Sequence, residues 1–400
     1  MGQSRCIIEV EGQTIEEVSS FDLSDDVMAI TEDAHVVVEN RNHKYRDLLR
    51  IGQRVEIYLA NPQVNFGAPT LKHKGRITER KAKASRTEGS TIAITSSDLG
   101  WHLQKCAAPL WLRLKNLTYQ DLVDPSKSKF YDPSWGFVGV RFDGDIRRKL
   151  KLGVAIVAQA AQKVLDPVHV IQCEAGDNAA DKFLEYCRRL NLLVNVSADG
   201  YLCCFRPNDR QEPLYRIRLL DDGPDNNVLS AELTESAESR YTETICVGEQ
   251  IGWEGPQDSN NPNARKKRGS VRHAGALPFV HRKTFVDGEM FANGLAQKAA
   301  EWAHKRGMYD SFSVVYEVPE HYQGTRWWVG DTTVDVQDDE LGVYGCLYVQ
   351  AVRLRGGKSE GDTTQVIVRL PGLLSASFGE IPNPPICKAL SVEGTAKEGT

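Results

Sequence analysis

The chain has 400 residues, of which 41% are hydrophobic and 26% charged, and its formal net charge at pH 7 is −5. This length predicts two to four domains that each bury a core, and the negative charge excludes a general nucleic-acid footprint. The sequence has no apolar run of about 18 residues and no signal-peptide pattern, so we expect no membrane insertion.

The nine cysteines are odd in number, scattered along the chain and without a CxxC pair. This spacing argues against a zinc site, and several cysteines occupy apolar strand or helix positions, where a reduced thiol acts as a small hydrophobe. The pattern predicts a reducing compartment, so we expect the chain to be made in a cytoplasm.

The first part of the chain contains short runs in which apolar and polar residues alternate between turns. Val55, Ile57 and Leu59 form one such run, and Ile92 and Ile94 form another. Regular short strands at this spacing predict a small antiparallel barrel or sandwich. We assign this N-terminal β-barrel domain to residues 1–105.

Residues 106–224 are predicted to be a middle α+β region. An apolar stripe indicates a helix at 150–165, and a helix–hairpin unit follows at 173–206 with a turn at Asp199 and Gly200. This unit could be a glycan-binding module or a structural insert, and the absence of a recognisable sugar groove favours the insert.

Residues 225–375 are predicted to be a C-terminal β-barrel domain that contains a long loop at 252–278 and a helix at 287–307. The loop carries a basic run, which could bind an acidic partner but is more often simply solvated. Asp287 is the expected N-cap of the helix and Gly307 its C′ residue. Strands at 334–336, 347–354 and 366–370 close the domain, and residues 376–400 are predicted to be a flexible tail.

A search for catalytic chemistry is negative. Residues 357–361 match GxSxG, but a nucleophile elbow needs a helix after the serine, and strands are predicted on both sides. The acidic residues between Asp331 and Glu340 lack EF-hand spacing, and the histidines lack ligand spacing. We therefore predict no enzyme activity, no catalytic residue, no cofactor and no metal.

Several segments carry a family resemblance. They are the helix–hairpin unit, the NVLSAEL segment that begins at Asn227, the LYVQAVRLRGG strand that begins at Leu347, and the closing VIVRLPGLL. In this order they resemble the Mu-like P-protein or late-control-D-type family, the baseplate hub proteins of contractile phage tails. The resemblance covers roughly residues 5 to 375.

The resemblance implies a β-rich α+β, multidomain fold, with two small antiparallel β-barrel domains of tube-protein type and α+β domains between them. It implies a homotrimeric ring that joins the sixfold tail tube to the threefold central spike, in a phage tail or a related tailocin or injection device. Other implied partners are further baseplate proteins and the tape-measure protein, while DNA passes through the lumen without specific binding. The implied location is the virion tail baseplate, assembled in the host bacterial cytoplasm.

An alternative from another class is a tail-associated glycan-binding or peptidoglycan-processing module. Such an enzyme is expected to carry paired carboxylates in a groove. For the hub, we expect strands 334–336 and 347–354 to hold a barrel together, and loops 356–362 and 252–278 and the tail to touch neighbouring proteins.

Overall fold

The computed structural model describes residues 3–85, 89–107, 113–115, 138–142, 170–172, 176–178, 181, 184, 193–205, 207, 209, 211–221, 223–248, 268–273, 276–287, 295–358 and 361–373. The helix predicted at 150–165, most of the helix of unit 173–206 and the tail at 376–400 lie outside these residues.

The N-terminal half is built from strands that are consecutive in the sequence. They are β1 (Arg5–Val10), β2 (Gln13–Ile15), β3 (Val18–Asp26), β4 (Asp33–Glu39), β5 (Arg54–Ala60), β6 (Thr70–Ser85) and β7 (Gly89–Asp98), followed by helix α1 (Gly100–Lys105). Their order across the sheet is β2-β1-β5-β6-β7-β4-β3, and every neighbouring pair is antiparallel.

The middle of the chain contributes short strands to two smaller sheets. These strands are β8 (Arg113–Lys115), β9 (Gly139–Phe142), β10 (Val170–Gln172), β11 (Leu193–Val196) and β12 (Tyr201–Phe205). The predicted hairpin is present as β11–β12, and Gly200 at its turn has a φ of +87°, which glycine adopts without strain. β12 also pairs in parallel with β9, a contact that the sequence pattern does not reveal.

The C-terminal part contains the remaining elements. They are β13 (Tyr215–Leu219), β14 (Ser230–Glu235), β15 (Glu243–Gly248), β16 (Arg268–Arg272), β17 (Arg282–Asp287), α2 (Leu295–Asp310), β18 (Phe312–Pro319), β19 (Tyr322–Gln323), β20 (Arg326–Trp327), β21 (Thr332–Asp338), β22 (Val343–Gly357) and β23 (Thr363–Arg369). The order β14-β18-β23-β22-β21-β13 forms the C-terminal half of the main sheet, in which β13 runs parallel to β21.

The two halves meet along β22, which is 15 residues long. Its first part pairs with β21, and its last part, Ala351 to Gly357, pairs antiparallel with β3 of the N-terminal half. A bulge between Val349 and Ala351 in the pairing with β23 marks the change. In the described part of the chain, the two halves therefore share one 13-stranded sheet.

The same alternation that predicts the strands also forms the core. Residues at alternate positions, such as Val36 and Val38 in the N-terminal half and Val366 and Val368 in the C-terminal half, are buried in one hydrophobic cluster that includes both halves. A β-rich fold with several sheets is confirmed.

Strands β15, β16 and β17 form a separate three-stranded sheet covered by α2. Here two predictions are wrong. Residues 252–267 of the loop expected at 252–278 lie outside the described residues, whereas Arg268–Arg272 form strand β16. In this strand Val271 packs into a small core with Cys246, and a Cβ at Gly269 would lie 2.2 Å from the α2 backbone.

The helix predicted at 287–307 ends later than expected, and residues 288–294 lie outside the described residues. Asp287 is the last residue of strand β17, and α2 continues through Gly307 to Asp310. Gly307 is not a C′ residue: a Cβ there would lie 2.2 Å from the carbonyl oxygen of Ser239, so glycine allows close packing inside the helix.

The domain boundaries at 105, 224 and 375 stay predictions. The structure adds that Tyr215–Leu219, inside the predicted middle region, pairs with β21 of the C-terminal half. Among the described residues, no helix has the length and apolar character needed to cross a membrane.

Candidate functional site

A charged cluster joins the two halves of the sheet where β3 meets β22. Arg353 donates two hydrogen bonds to the carboxylate of Asp22, from Nε at 2.5 Å and from Nη2 at 2.6 Å. Arg355 Nε lies 3.3 Å from the same carboxylate. Donation to the Asp22 carboxylate raises the pKa of Arg353, and such bidentate contacts fix geometry as well as adding energy.

The first described residues of the chain form hydrogen bonds with the connection between β22 and β23. The Ser4 amide donates to Asp362 Oδ2 at 2.6 Å, and Gln3 Nε2 donates to the Gly357 carbonyl oxygen. His321 lies beneath, with Nε2 2.8 Å from the Arg355 carbonyl oxygen, and burial lowers the pKa of His321. The described residues of the predicted loop 356–362 thus contact their own chain, and their contacts with neighbouring proteins stay a prediction.

Gly356 and Gly357, which the sequence pattern places in that loop, are the last residues of β22. A Cβ at Gly356 would lie 2.7 Å from Phe21 Cζ, and one at Gly357 would lie 2.8 Å from the Ser19 carbonyl oxygen. Glycine at these positions lets β22 approach β3 closely. The seam, by which we mean the pairing of β3 with β22, therefore continues past the residues whose apolar and polar alternation predicts a strand.

A cleft of about 830 Å³ opens beside the seam, between β3, β6 and the 325–332 segment. Lys72 Nζ lies 4.9 Å from the centroid of the Trp327 ring, and Trp327 itself is only 6% exposed. Burial lowers the pKa of Lys72 to about 8, although the charge of Asp25 opposes that shift. The cleft therefore combines an aromatic wall with a partly desolvated amine that covers the ring face.

The main sheet contains an eight-strand layer, β14-β18-β23-β22-β3-β4-β7-β6, in which every neighbouring pair is antiparallel. Its face away from the core is polar along cross-strand rows. One row runs through Glu317, Gln365, Arg353, Ser24, Asp33, Ser97 and Arg76. This row mixes acidic and basic groups.

The acidic residues between Asp331 and Glu340 serve the fold. Tyr348 donates to Asp331 Oδ1 at 3.0 Å, Tyr316 donates to Asp338 Oδ2 at 2.9 Å, and Arg218 pairs with Asp335 at 2.6 Å. Within the described ranges, no group of three or more His, Cys, Asp or Glu side chains is arranged to hold a metal ion.

The GxSxG match does not coincide with a nucleophile elbow. Gly357 ends strand β22, Thr363 begins strand β23, and the serine itself lies outside the described residues. An elbow requires a helix after the nucleophile. The strand-to-strand context agrees with a chance match.

Solved structures match almost the full length of this chain. A tail protein from Neisseria meningitidis MC58 superimposes with a TM-score of 0.71 at 15% identity, over 94% of this chain and 98% of that one. The 43 kDa tail protein of prophage MuSo2 from Shewanella oneidensis gives a TM-score of 0.67 at 14% identity, over 91% and 98%.

The chain has the fold of phage tail proteins. An Escherichia coli component of the type VI secretion system, described as similar to T4 tail proteins gp27 and gp5, also shares it, with a TM-score of 0.52 at 9% identity over 90% of this chain and 76% of that one. No protein-family model and no curated protein matches the sequence. The expected tail-protein fold is therefore confirmed.

Within this tail-protein fold, sequence reasoning located the strands of the seam but missed their pairing. β3 and β22 are more than 300 residues apart in sequence, and the charges that join them, Asp22 and Arg353, lie at polar positions of alternating strands. Such positions are normally solvated. The only sequence signal for this pairing is that the polar face of β3 carries acidic residues and the polar face of β22 carries basic ones.

Proposed function

We propose that this chain is the structural baseplate hub of a contractile phage tail, or of a related tailocin or injection device. Three copies would form a ring that joins the sixfold tail tube to the threefold central spike. The observation that carries this proposal is the tail-protein fold, in which two strand-built halves share one continuous sheet.

The ring follows from symmetry. Closed oligomers need matching surfaces, and the family resemblance implies two similar β-barrels in each chain, which would give six units in a trimer and suit contact with a sixfold tube on one side and a threefold spike on the other. Other baseplate proteins and the tape-measure protein would bind at its periphery. The ring would be part of the virion and would be assembled in the host bacterial cytoplasm.

The polar face of the eight-strand layer supports a passage for DNA without specific binding. Acidic and basic side chains alternate there, as in the pair Asp22 and Arg353, so positive charge is largely compensated by neighbouring carboxylates. A protein that grips the phosphate backbone needs uncompensated lysine or arginine. This face would let DNA slide past.

We propose no enzymatic role. The alternative, a glycan-binding or peptidoglycan-processing module, would use the cleft beside Trp327. A sugar usually stacks on an open aromatic face, but Lys72 covers the Trp327 ring and the ring is almost fully buried. The cleft therefore favours the structural role.

The test is the solution mass of the full chain, measured by light scattering alone and after mixing with the candidate spike protein. The proposal predicts the mass of three chains, either alone or on adding the spike, and co-elution of the two proteins. A single-chain mass under both conditions would contradict it.

A further inference from the structure

The sheet of β15, β16 and β17 has one face covered by α2 and one face turned away from it. Helix α2 packs on the face that carries Cys246, Val271 and Phe285. Residues directly opposite each other on paired strands share a face, so the strand registers define the other face as three rows. The first row is Arg272, Glu243 and Arg282, the second is Ser270, Ile245 and Thr284, and the third is Arg268, Val247 and Val286. We call these residues the insert face.

The first row holds two arginines in fixed positions. Arg272 Nε donates to Glu243 Oε1 at 2.7 Å, and Arg282 Nε donates to Glu243 Oε2 at 2.6 Å. The Glu243 side chain is only 9% exposed, whereas the side chains of Arg272 and Arg282 are 75% and 60% exposed. One buried carboxylate therefore orients two exposed guanidinium groups, whose Nη atoms donate to no other described residue. Such groups bind a further carboxylate with two parallel hydrogen bonds.

The third row is apolar and exposed. Val286 is 71% exposed, and Val247 beside it on β15 is exposed as well. The connection that leads into β17 exposes Phe279 and Val280. Four of the ten exposed large hydrophobic residues in the described part of the chain therefore lie in this small sheet and its connection. Single exposed apolar residues are common, but a concentration of them marks an interaction surface.

The charge of the insert face indicates the chemistry of its partner. The face carries three arginines against the single carboxylate of Glu243, in a chain whose net charge is −5. An acidic partner is therefore complementary to it. Nucleic-acid bases stack on aromatic side chains, whereas the third row offers Val247 and Val286, and arginine beside apolar residues is typical of protein interfaces. The face thus favours a protein partner over nucleic acid.

We propose that the insert face binds an acidic segment of another protein. Carboxylates of that segment would accept hydrogen bonds from the Nη atoms of Arg272 and Arg282, and its apolar side chains would cover Val247 and Val286. The first and third rows are four residues apart along each strand, so the two kinds of group on the partner must lie about 13 Å apart. This inference goes beyond the hub role and does not depend on it, because the face is complete within one chain.

Fluorescence anisotropy of a labelled peptide tests the chemistry. The peptide carries two aspartates and then two leucines at alternate positions, separated by serines, so that all four side chains point the same way when it is extended. Titration with the full chain should give saturable binding that weakens as salt screens the charges. The matched control peptide has lysine in place of aspartate and should not bind. Failure of the aspartate peptide to bind would overturn the inference.

Variants of the full chain locate the binding. Arg272→Met/Arg282→Met should weaken peptide binding at least about tenfold, and Val286→Ser should weaken it by up to about tenfold. Arg272→Lys/Arg282→Lys keeps the charge but loses the planar fork, so its affinity should fall between those of the wild type and the methionine variant. Arg41→Met, at an exposed arginine of the N-terminal half, is the control and should bind as the wild type does. Wild-type affinity in the lysine or methionine variant would overturn the inference, provided that its urea midpoint shows it to be folded.

Two further measurements separate other occupants of the insert face. If a labelled DNA duplex binds through Arg272 and Arg282 while the aspartate peptide does not, the face binds nucleic acid and the inference is wrong. If light scattering gives three chains for the wild type but one for Arg272→Met/Arg282→Met, the occupant is a second copy, which overturns the inference and leaves the hub intact. A wild-type mass of one chain with peptide binding retained would overturn the hub and support the inference.

Discussion

The N-terminal half forms its part of the sheet from seven strands that follow one another between Arg5 and Asp98, and all its pairs are antiparallel. The C-terminal half gathers strands from Tyr215 to Arg369, and it includes a parallel pair, β13 and β21, more than 100 residues apart. An inserted sheet with helix α2 interrupts it. One sheet therefore combines local pairing in one half with distant pairing in the other.

The difference between local and distant pairing indicates which part of the fold is more easily destabilised. Distant pairs cost more loop-closure entropy than local ones, so the C-terminal half depends more on the contacts that attach it to its neighbour. These contacts are the β3–β22 ladder, the Asp22 cluster and the shared hydrophobic core. We therefore expect the two halves to unfold together.

The largest effect is expected from core truncation. Tyr316 in the C-terminal half and Ile57 in the N-terminal half are fully buried in the shared cluster. Tyr316→Ala should lower the free energy of unfolding by about 4 kcal/mol and Ile57→Ala by about 3 kcal/mol. Urea unfolding, followed together by tryptophan fluorescence and circular dichroism, should show a single shifted transition for both.

Ile51→Ala is the matched control for Ile57→Ala, because Ile51 is 69% exposed, and it should change the free energy by less than about 0.5 kcal/mol. Two separate transitions, with Ile57→Ala moving only one of them, would break the claim that the halves form one unit.

The next effect is a pH dependence to which His73 of the N-terminal half contributes. His73 is buried, its Nε2 lies 2.8 Å from Ser96 Oγ, and burial lowers its pKa to about 4. The unfolded chain binds the proton first as the pH falls, so the stability from this residue is complete above pH 6.5 and is lost towards pH 4. The loss is about 3 kcal/mol.

His73→Gln should flatten this acid slope when urea midpoints are compared at pH 7 and pH 4.5. His35→Gln, at an exposed position of strand β4, should leave the slope as it is in the wild type. An unchanged slope in His73→Gln would show that the acid sensitivity arises elsewhere.

A smaller effect is expected at the seam. Arg353→Met removes two short hydrogen bonds to Asp22 while keeping the side-chain length, and it should cost about 1–2 kcal/mol in unfolding free energy. Arg50→Met removes the exposed pair with Asp47 and should cost less than about 0.5 kcal/mol. If urea titrations gave the same loss of unfolding free energy for both variants, the contact between Asp22 and Arg353 would stabilise the fold no more than an exposed ion pair does.

The smallest effect is expected at Phe66, whose side chain is fully exposed on the β5–β6 loop. Phe66→Ser should leave the urea midpoint unchanged within error, because no packing is lost. If the midpoint stays constant while binding of the spike or the tube falls, Phe66 contacts that partner. A lower midpoint would mean that the loop packs on the fold.

Sequence patterns predicted the strands of both halves because alternation depends only on which face is buried. Ile92 and Ile94 or Val366 and Val368 reveal that face directly. The patterns could not predict partners, because β3 and β22 pair through backbone groups that every residue carries. In the N-terminal half, strands that are neighbours in sequence are often neighbours in the sheet, so more of the strand pairing could be predicted there.

The errors in the insert have a similar cause. Gly269 and Gly307 look like loop and cap residues in the sequence, since glycine commonly marks both. In the structure each allows another backbone to approach closely, at a strand in one case and inside a helix in the other. Close approach is a tertiary property, and a single sequence does not distinguish it from a turn.

The most direct test of the central claim is electron microscopy of the purified full chain, alone and with its candidate spike. The account predicts class averages of a closed ring made of three copies around an open lumen, with six similar lobes. Particles that contain one or two copies, with no closed ring under either condition, would contradict it.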